Sequence, residues 1–245
     1  MTLPVIKPDW AVPANVRAVV TTRAGGVSQP PYDSLNLATH VGDDPLAVAG
    51  NRHLLREALR LPAEPLWLDQ VHGIGVCAPR SAGQGCRADA AYTDRPGEVL
   101  AVLTADCLPV FLASLDGREI GIAHAGWRGL EAGVLESLLE RFAAPPGAIQ
   151  AWLGPAIGPQ AFEVGDEVRA AFLAHGPEAA AAFVPTRPGH WLADLYRLAR
   201  QRLAARGVTA VFGGGLCTLS DPARFYSYRR DGVTGRMASL IWRDS

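Results

Sequence analysis

Two imidazoles and a thiol stand where apolar, strand-like runs meet turns. They are His72 in Gln70-Val71-His72-Gly73, Cys107 in Ala105-Asp106-Cys107-Leu108-Pro109 and His124 in Ala123-His124-Ala125-Gly126-Trp127-Arg128-Gly129. Residues 65–68, 99–103 and 120–123 are the apolar runs that precede them. Three neighbouring buried strands would carry all three side chains to one sheet end. Two imidazoles and a thiolate placed so suit a zinc ion that keeps an open coordination position.

The relation of Cys107 to His124 follows from local signals. Residues 110–113 and 119–122 are strand-like and flank a segment containing Asp116-Gly117, a hairpin signal. In an antiparallel pair, residues equidistant from the turn face each other, so Cys107 and His124 are expected at the same end. Such a pair has three readings. One is a buried cysteine packed near an ordinarily hydrogen-bonded histidine. A second is a nucleophilic thiolate activated by His124. The third is metal binding, which His72 favours, because a dyad has no use for a third soft or borderline ligand.

The elements that must position these groups are mixed. Residues 16–22 read as a strand, and residues 46–59 as a helix with Val48, Leu55 and Leu59 on one face. A helix over residues 129–142 is striped by Leu130, Val134, Leu138 and Leu139. Further helices are expected over residues 166–174 and from Asp194, a candidate N-cap, to Gly207, a candidate C-cap. No repeat or linker interrupts the chain, so residues 1–245 read as one domain.

At 245 residues the chain can bury roughly 70 to 75% of its unfolded surface. No apolar stretch approaches the ~20 residues that cross a bilayer, and the first ten residues lack a secretory n- and h-region, so a cytoplasmic location is expected. With 23 basic and 24 acidic residues the net charge is −1, which gives no footprint for nucleic acid or an anionic membrane. A small-molecule partner is expected; oligomeric state is not predicted. The four cysteines lack CxxC spacing, and the expected compartment argues against disulfides. Cys77 and Cys217 read as core thiols and Cys86 as a loop residue. A fourth ligand from Cys77 or Cys86 would close the site and make the zinc structural.

Several segments occurring in order carry a family resemblance: Thr21-Thr22-Arg23-Ala24-Gly25-Gly26-Val27-Ser28, Ser34-Leu35-Asn36-Leu37, His40-Val41-Gly42-Asp43-Asp44, the three histidine and cysteine motifs, Leu153-Gly154-Pro155-Ala156-Ile157-Gly158-Pro159, and Phe225-Tyr226-Ser227-Tyr228-Arg229-Arg230-Asp231 with Thr234-Gly235-Arg236. Over nearly its whole length the chain resembles the YfiH-like family, also called the laccase-domain or multicopper polyphenol oxidase family. The resemblance implies a single mixed-sheet α/β domain, related in architecture to the catalytic domain of cytotoxic necrotizing factor toxins. It implies zinc ligands at His72, Cys107 and His124, and purine nucleoside phosphorylase activity on adenosine, inosine, guanosine and methylthioadenosine with some adenosine deaminase activity. Copper polyphenol oxidation and a link to peptidoglycan-precursor editing are further labels of the family.

Residue chemistry ranks these labels. Six histidines without a His-x-His pair do not suit a four-copper cluster, although a lone Cu(II) at the three donors and weak phenol oxidation in vitro are compatible with the set. Phosphorolysis needs an anion pocket, stabilisation of a ribosyl cation and a proton donor for the leaving purine. Arg128 sits where residues 126–129 open a predicted helix, and Arg23, Arg229 and Arg236 are further cations for an anion. Asn36 and His40 are candidate substrate contacts. Asp89 is placed with the substrate groups and, like Asp106, is also available as a partner of a ligand or as a base; turn capping is the structural alternative. Trp127, Phe162 and Tyr226 could stack on a purine, with core packing as the competing role. Two rival classes stay open: a metal-free Cys107–His124 thiol hydrolase acting on an amide such as a peptidoglycan-precursor linkage, and a binding or scaffold protein whose zinc holds the fold.

Overall fold

The computed structural model describes residues 3–79 and 85–244. The strands are β1 (Val5–Ile6), β2 (Val16–Thr21), β3 (Leu66–Trp67), β4 (Val76–Cys77), β5 (Ala90–Thr93), β6 (Val99–Thr104), β7 (Leu108–Ser114), β8 (Ile120–Ala125), β9 (Ile149–Leu153), β10 (Glu163–Gly165), β11 (Phe183–Arg187), β12 (His190–Ala193), β13 (Ala210–Gly213) and β14 (Met237–Arg243). The helices are α1 (Pro45–Leu59), α2 (Trp127–Ala132), α3 (Val134–Leu139), α4 (Asp166–Leu173), α5 (Leu195–Ala205) and α6 (Tyr228–Asp231). Among the described residues the strands form a five-stranded sheet ordered β1-β2-β14-β6-β3, a six-stranded sheet ordered β13-β9-β7-β8-β5-β4 and a three-stranded sheet ordered β10-β12-β11. Both larger sheets mix parallel and antiparallel pairs, as β3–β6 and β4–β5 are parallel and β7–β8 antiparallel. The α/β mixed-sheet expectation holds.

Period-two side-chain alternation sorts the strands onto three cores. Leu100, Val102 and Ile241 from the five-stranded sheet meet Phe111, Ala113, Ile120 and Ile122 from the six-stranded sheet in one cluster between them. The alternate residues Val99, Ala101, Leu103 and Leu240 pack outward with Leu55 of α1. Val110, Leu112 and Ala125 pack the other way with Leu135, Leu138 and Leu198 from α3 and α5. The layers therefore run helix, sheet, sheet, helix, and strands buried on both faces explain the unbroken apolar runs.

Three local expectations change. The helix expected over residues 129–142 is two short helices, because Gly133 adopts a left-handed φ of 104° between α2 and α3. The helix begun by Asp194, whose carboxylate accepts from the Arg197 N–H at 2.9 Å, ends at Ala205, and Gly207 follows the cap with φ 84°. Cys77 is buried but is joined to Cys86 in a disulfide, so neither thiol is free; Cys217 is half-buried rather than core, and its Sγ accepts from the Gly158 N–H at 3.2 Å. No helix of the described residues is long and apolar enough to cross a membrane.

Candidate metal and substrate site

The three neighbouring strands expected to carry the donors are split between two sheets. His72 follows β3 and Cys107 lies between β6 and β7, where the chain passes from the five-stranded to the six-stranded sheet, while His124 is on β8. The hairpin places the last two as expected: Pro109 pairs with His124 and Leu108 with Ala125, a register centred between Asp116 and Gly117. Cys107, one residue before β7, is thereby carried to the end of β8.

Two backbone turns aim the donors. Asp106 takes a φ of 93° and His72 one of 60°, both unusual for residues with a Cβ. Asp106 is locked by its carboxylate, which accepts from the Thr218 hydroxyl at 2.6 Å and the Arg229 N–H at 2.7 Å. The His72 turn wraps a second carboxylate. Asp89 Oδ1 accepts from the His72 N–H at 2.9 Å, and Oδ2 from the Val71 and Gly73 N–H groups at 3.1 and 2.7 Å.

The same Asp89 Oδ1 lies 2.8 Å from His124 Nδ1, so the fully buried carboxylate orients two of the three donors and leaves His124 Nε2 for the site. Burial alone would raise the Asp89 pKa, yet the His124 and turn N–H bonds hold it below the ordinary value. Burial would likewise raise the Cys107 thiol, but the charge of His124 and hydrogen bonds to both histidines outweigh it and pull the thiol down. His124 moves oppositely: against burial, Cys107 and Asp89 favour its imidazolium.

Cys107 Sγ is 3.8 Å from His72 Nε2, the His72 and His124 rings meet edge to face at 4.8 Å, and the three donor atoms all lie within 4.8 Å of one another. Tetrahedral zinc bonds set such donors about 3.5 Å apart, so small side-chain shifts close the set around one ion. Gly126 leaves the room, since a Cβ there would stand 2.9 Å from His72 Cδ2 and 3.0 Å from Cys107 Sγ. No other group of three candidate ligands occurs among the described residues, and Cys77 and Cys86 are consumed by their disulfide, so no cysteine closes the fourth position as the structural-zinc reading requires.

The donors line a cavity of about 360 Å³, within the size range of small-molecule sites. Of the predicted substrate groups, His40 lines it, and burial together with Arg236 lowers the His40 pKa. Arg236, named among the candidate cations, lines it too, and the others do not. Arg23 is held by the Asp33 and Pro222 carbonyls with its guanidinium over Tyr226, and Asn36, fully buried, bonds Ala38 and Asp43 and accepts the Arg236 N–H at 3.0 Å. Arg128 is exposed and stacks on Trp127; Arg229 donates to the Glu163 carbonyl and covers Phe162. Asp89 sits behind the donors.

Sequence reasoning missed Gln70, Thr104 and Tyr228, all of which line the cavity. Gln70 is held by the Leu103 backbone, donating at 2.9 Å and accepting at 2.7 Å like a short strand on the edge of β6. Tyr226 is fully buried, whereas Tyr228, 61% exposed, is the aromatic at the cavity. The Ser227 cap of α6, whose Oγ accepts from the Arg230 N–H, was the available signal for it.

Known proteins match this chain over nearly its whole length. A Pseudomonas aeruginosa purine nucleoside phosphorylase is 57% identical over 97% of this chain and 97% of its own. The Escherichia coli purine nucleoside phosphorylase YfiH is 55% identical over 97% and 98%. The crystal structure of a Neisseria meningitidis DUF152 protein superposes with a TM-score of 0.95 at 48% identity, covering 98% of this chain and 99% of its own. YlmD from Geobacillus stearothermophilus gives a TM-score of 0.89 at 34% identity over 99% and 100%. With a family model matched over residues 17–244, the chain belongs to the family described as multi-copper polyphenol oxidoreductase laccase, the family of the YfiH proteins.

Proposed function

We propose that residues 1–245 form one catalytic domain, a zinc-dependent purine nucleoside phosphorylase. It converts adenosine, inosine, guanosine or methylthioadenosine and phosphate to the base and a pentose 1-phosphate, with adenosine deamination as a minor activity. The observation that carries this reading is the His72, Cys107 and His124 set on the wall of a ligand-sized cavity, in a chain more than half identical to proteins named purine nucleoside phosphorylase.

Zinc at these donors would supply Lewis-acid polarisation of a substrate oxygen. The chain's own residues do the rest. Asp89 fixes the His124 tautomer by accepting the Nδ1 proton, and the 71–73 turn presents the His72 ring. Tyr228 offers a ring face to the purine, and Gln70, clamped on Leu103, forms a fixed polar wall. A cytoplasmic location is part of the same reading, since free nucleosides and phosphate are its substrates.

The experiment is product analysis of adenosine with zinc-loaded protein, with and without phosphate, beside Cys107→Ala and His72→Ala. Phosphate-dependent adenine, lost in both variants and on chelation, is expected; intact adenosine in every tube defeats the proposal. A second reading, amide hydrolysis by Cys107, draws on the thiolate and imidazolium that Cys107 and His124 favour. It requires Cys107→Ser to abolish turnover of an amide substrate while chelation and His72→Ala leave turnover intact.

A further inference from the structure

One carboxylate stands between a metal donor and the cavity wall. Asp106, 8% exposed, is the residue before Cys107, and its φ of 93° sets the direction in which the chain presents the thiol. Its two oxygens bond different parts of the segment 218–231. Oδ1 accepts from the hydroxyl of Thr218, a fully buried residue, at 2.6 Å, and Oδ2 accepts from the Arg229 N–H at 2.7 Å. Arg229 is the second residue of α6 and follows Tyr228, the aromatic at the cavity. Its N–H lies in the first turn, where no carbonyl of the helix itself can accept it. The Asp106 carboxylate is therefore next in sequence to a metal donor and bonded to the residue next to the cavity ring.

Thr218 closes the triangle. Its carbonyl accepts from Arg230 Nη1 at 3.0 Å, so one residue holds α6 through Arg230 and Asp106 through its hydroxyl. The backbones are tied independently, since the Thr218 N–H donates to the Ala156 carbonyl at 3.0 Å and the Ile157 N–H donates to the Asp106 carbonyl at 2.9 Å. The hydroxyl bond is thus not what keeps these segments together. What it decides is the orientation of the Asp106 carboxylate, and with it a positive φ that a residue with a Cβ adopts under constraint.

We infer that Thr218 is a positioning residue for both halves of the site, acting through Asp106 to aim the Cys107 thiol at His72 and His124 and to seat Tyr228 at the cavity. The role is geometric: it needs a hydroxyl at 218 and two hydrogen-bonding atoms at 106, and it does not need a charge. That Cys107 holds zinc and that Tyr228 faces a purine rest on the function proposed above; the shared anchor does not.

The test uses the full-length protein and its Thr218→Val, Thr218→Ala, Thr218→Ser and Asp106→Asn variants. Zinc competition against a chromophoric chelator, thiolate-to-metal absorption of the cobalt(II)-loaded protein and crystal structures of the chelator-stripped protein are the readouts. In Thr218→Val and Thr218→Ala zinc affinity should fall at least about tenfold and the thiolate band weaken. The Cys107 Sγ to His72 Nε2 separation should depart from 3.8 Å, with Tyr228 displaced. Thr218→Ser should restore all of these. Asp106→Asn keeps both bonds, its oxygen accepting from the Arg229 N–H while its NH2 donates to the Thr218 hydroxyl, so it should stay close to wild type. A role in stability alone predicts lowered unfolding midpoints with affinity and band unchanged, and a zinc affinity of Thr218→Val within about twofold of wild type overturns the assignment. A loss in Asp106→Asn as deep as in Thr218→Val also overturns it, by making charge the operative property. So does failure of both hydroxyl-deleting variants to fold, because the hydroxyl would then hold the fold rather than aim the site. If wild type binds neither metal, the zinc reading falls while the crystal structures still decide the anchor, which unmoved Cys107 and Tyr228 in Thr218→Val would refute.

Discussion

Asp89→Asn keeps the size of a fully buried side chain and changes only what its two terminal atoms can do. Oδ1 serves the His72 N–H and His124 Nδ1, and Oδ2 serves the Val71 and Gly73 N–H groups. An amide has one acceptor oxygen, so in either orientation two of the four donors face an NH2 group. At about 1–3 kcal/mol per buried donor left without an acceptor, the loss is about 2–6 kcal/mol, a large part of a typical domain's 5–15 kcal/mol. With the amide nitrogen at the Oδ1 position, His124 restores its bond only by moving the proton from Nδ1 to Nε2, which removes the lone pair that faces the site. Loss of such a carboxylate partner costs about 10–100-fold in metal affinity. Zinc competition against a chromophoric chelator reads the affinity, and urea unfolding of chelator-stripped protein reads the stability. A folded Asp89→Asn protein with zinc affinity within about twofold of wild type would refute the reasoning, because the tautomer and the turn would then be held by something else.

The remaining predictions concern space, cross-linking and the substrate face. Gly126→Ala is conformationally permitted at φ −60° and ψ 154°, but its Cβ would press on His72 and Cys107. Zinc affinity should therefore fall at least about tenfold while urea unfolding of the stripped protein changes little, and an unchanged affinity would show that the donors close elsewhere. The Cys77–Cys86 disulfide joins residues nine apart, which on the chain-entropy account stabilises by about 2.5–3 kcal/mol. Dithiothreitol should lower the unfolding midpoint of wild type but not of the Cys77→Ala, Cys86→Ala double variant, and equal midpoints for wild type with and without reductant would contradict it. Tyr228→Ala removes an exposed ring, so thermal stability should hold while the nucleoside KM rises about fivefold or more, the low end of base stacking on an aromatic. A KM equal to wild type would place the purine elsewhere.

What was legible in the sequence followed from local rules. Asp116-Gly117 between two apolar runs fixed the β7–β8 register and brought Cys107 to His124, and Asp194 capped α5 as its side chain allows. The failures came where distant segments decide. Nothing in the run at residues 66–67 says that β3 joins β6 while β8 belongs to another sheet; that partition is made by core packing on both faces of each strand. The arginines show the same limit. Arg23, Arg128, Arg229 and Arg236 are alike in sequence, and each guanidinium lies over an aromatic ring, yet only Arg236, over Tyr228, does so at the cavity. Of the two roles open to Tyr226, core packing holds, since it is sealed under residues 23 and 32, while Tyr228, two residues on and given no role from sequence, opens onto the cavity.

The family description speaks of several copper ions, and the donor inventory bears on it directly. Of the six histidines, His175 is bonded to Glu131, His190 to the Pro188 carbonyl, His53 is exposed on α1 and His40 belongs to no group of three candidate ligands among the described residues. A cluster of coppers would need more imidazoles than the one His72 and His124 pair supplies. A single His2Cys copper of the electron-transfer kind would also call for a weak axial ligand, usually a methionine sulfur. Met237 is buried with its sulfur on the Tyr226 N–H at 3.1 Å, committed to packing away from that role. What is left is a three-donor set with a cavity in front of it, which could hold a single metal ion, as the proposed zinc reading requires. Copper loaded at these donors should therefore be displaced by a chelator as a single ion per chain. A stoichiometry of two or more tightly held coppers, measured by atomic absorption after gel filtration, would show that residues beyond His72, Cys107 and His124 bind metal.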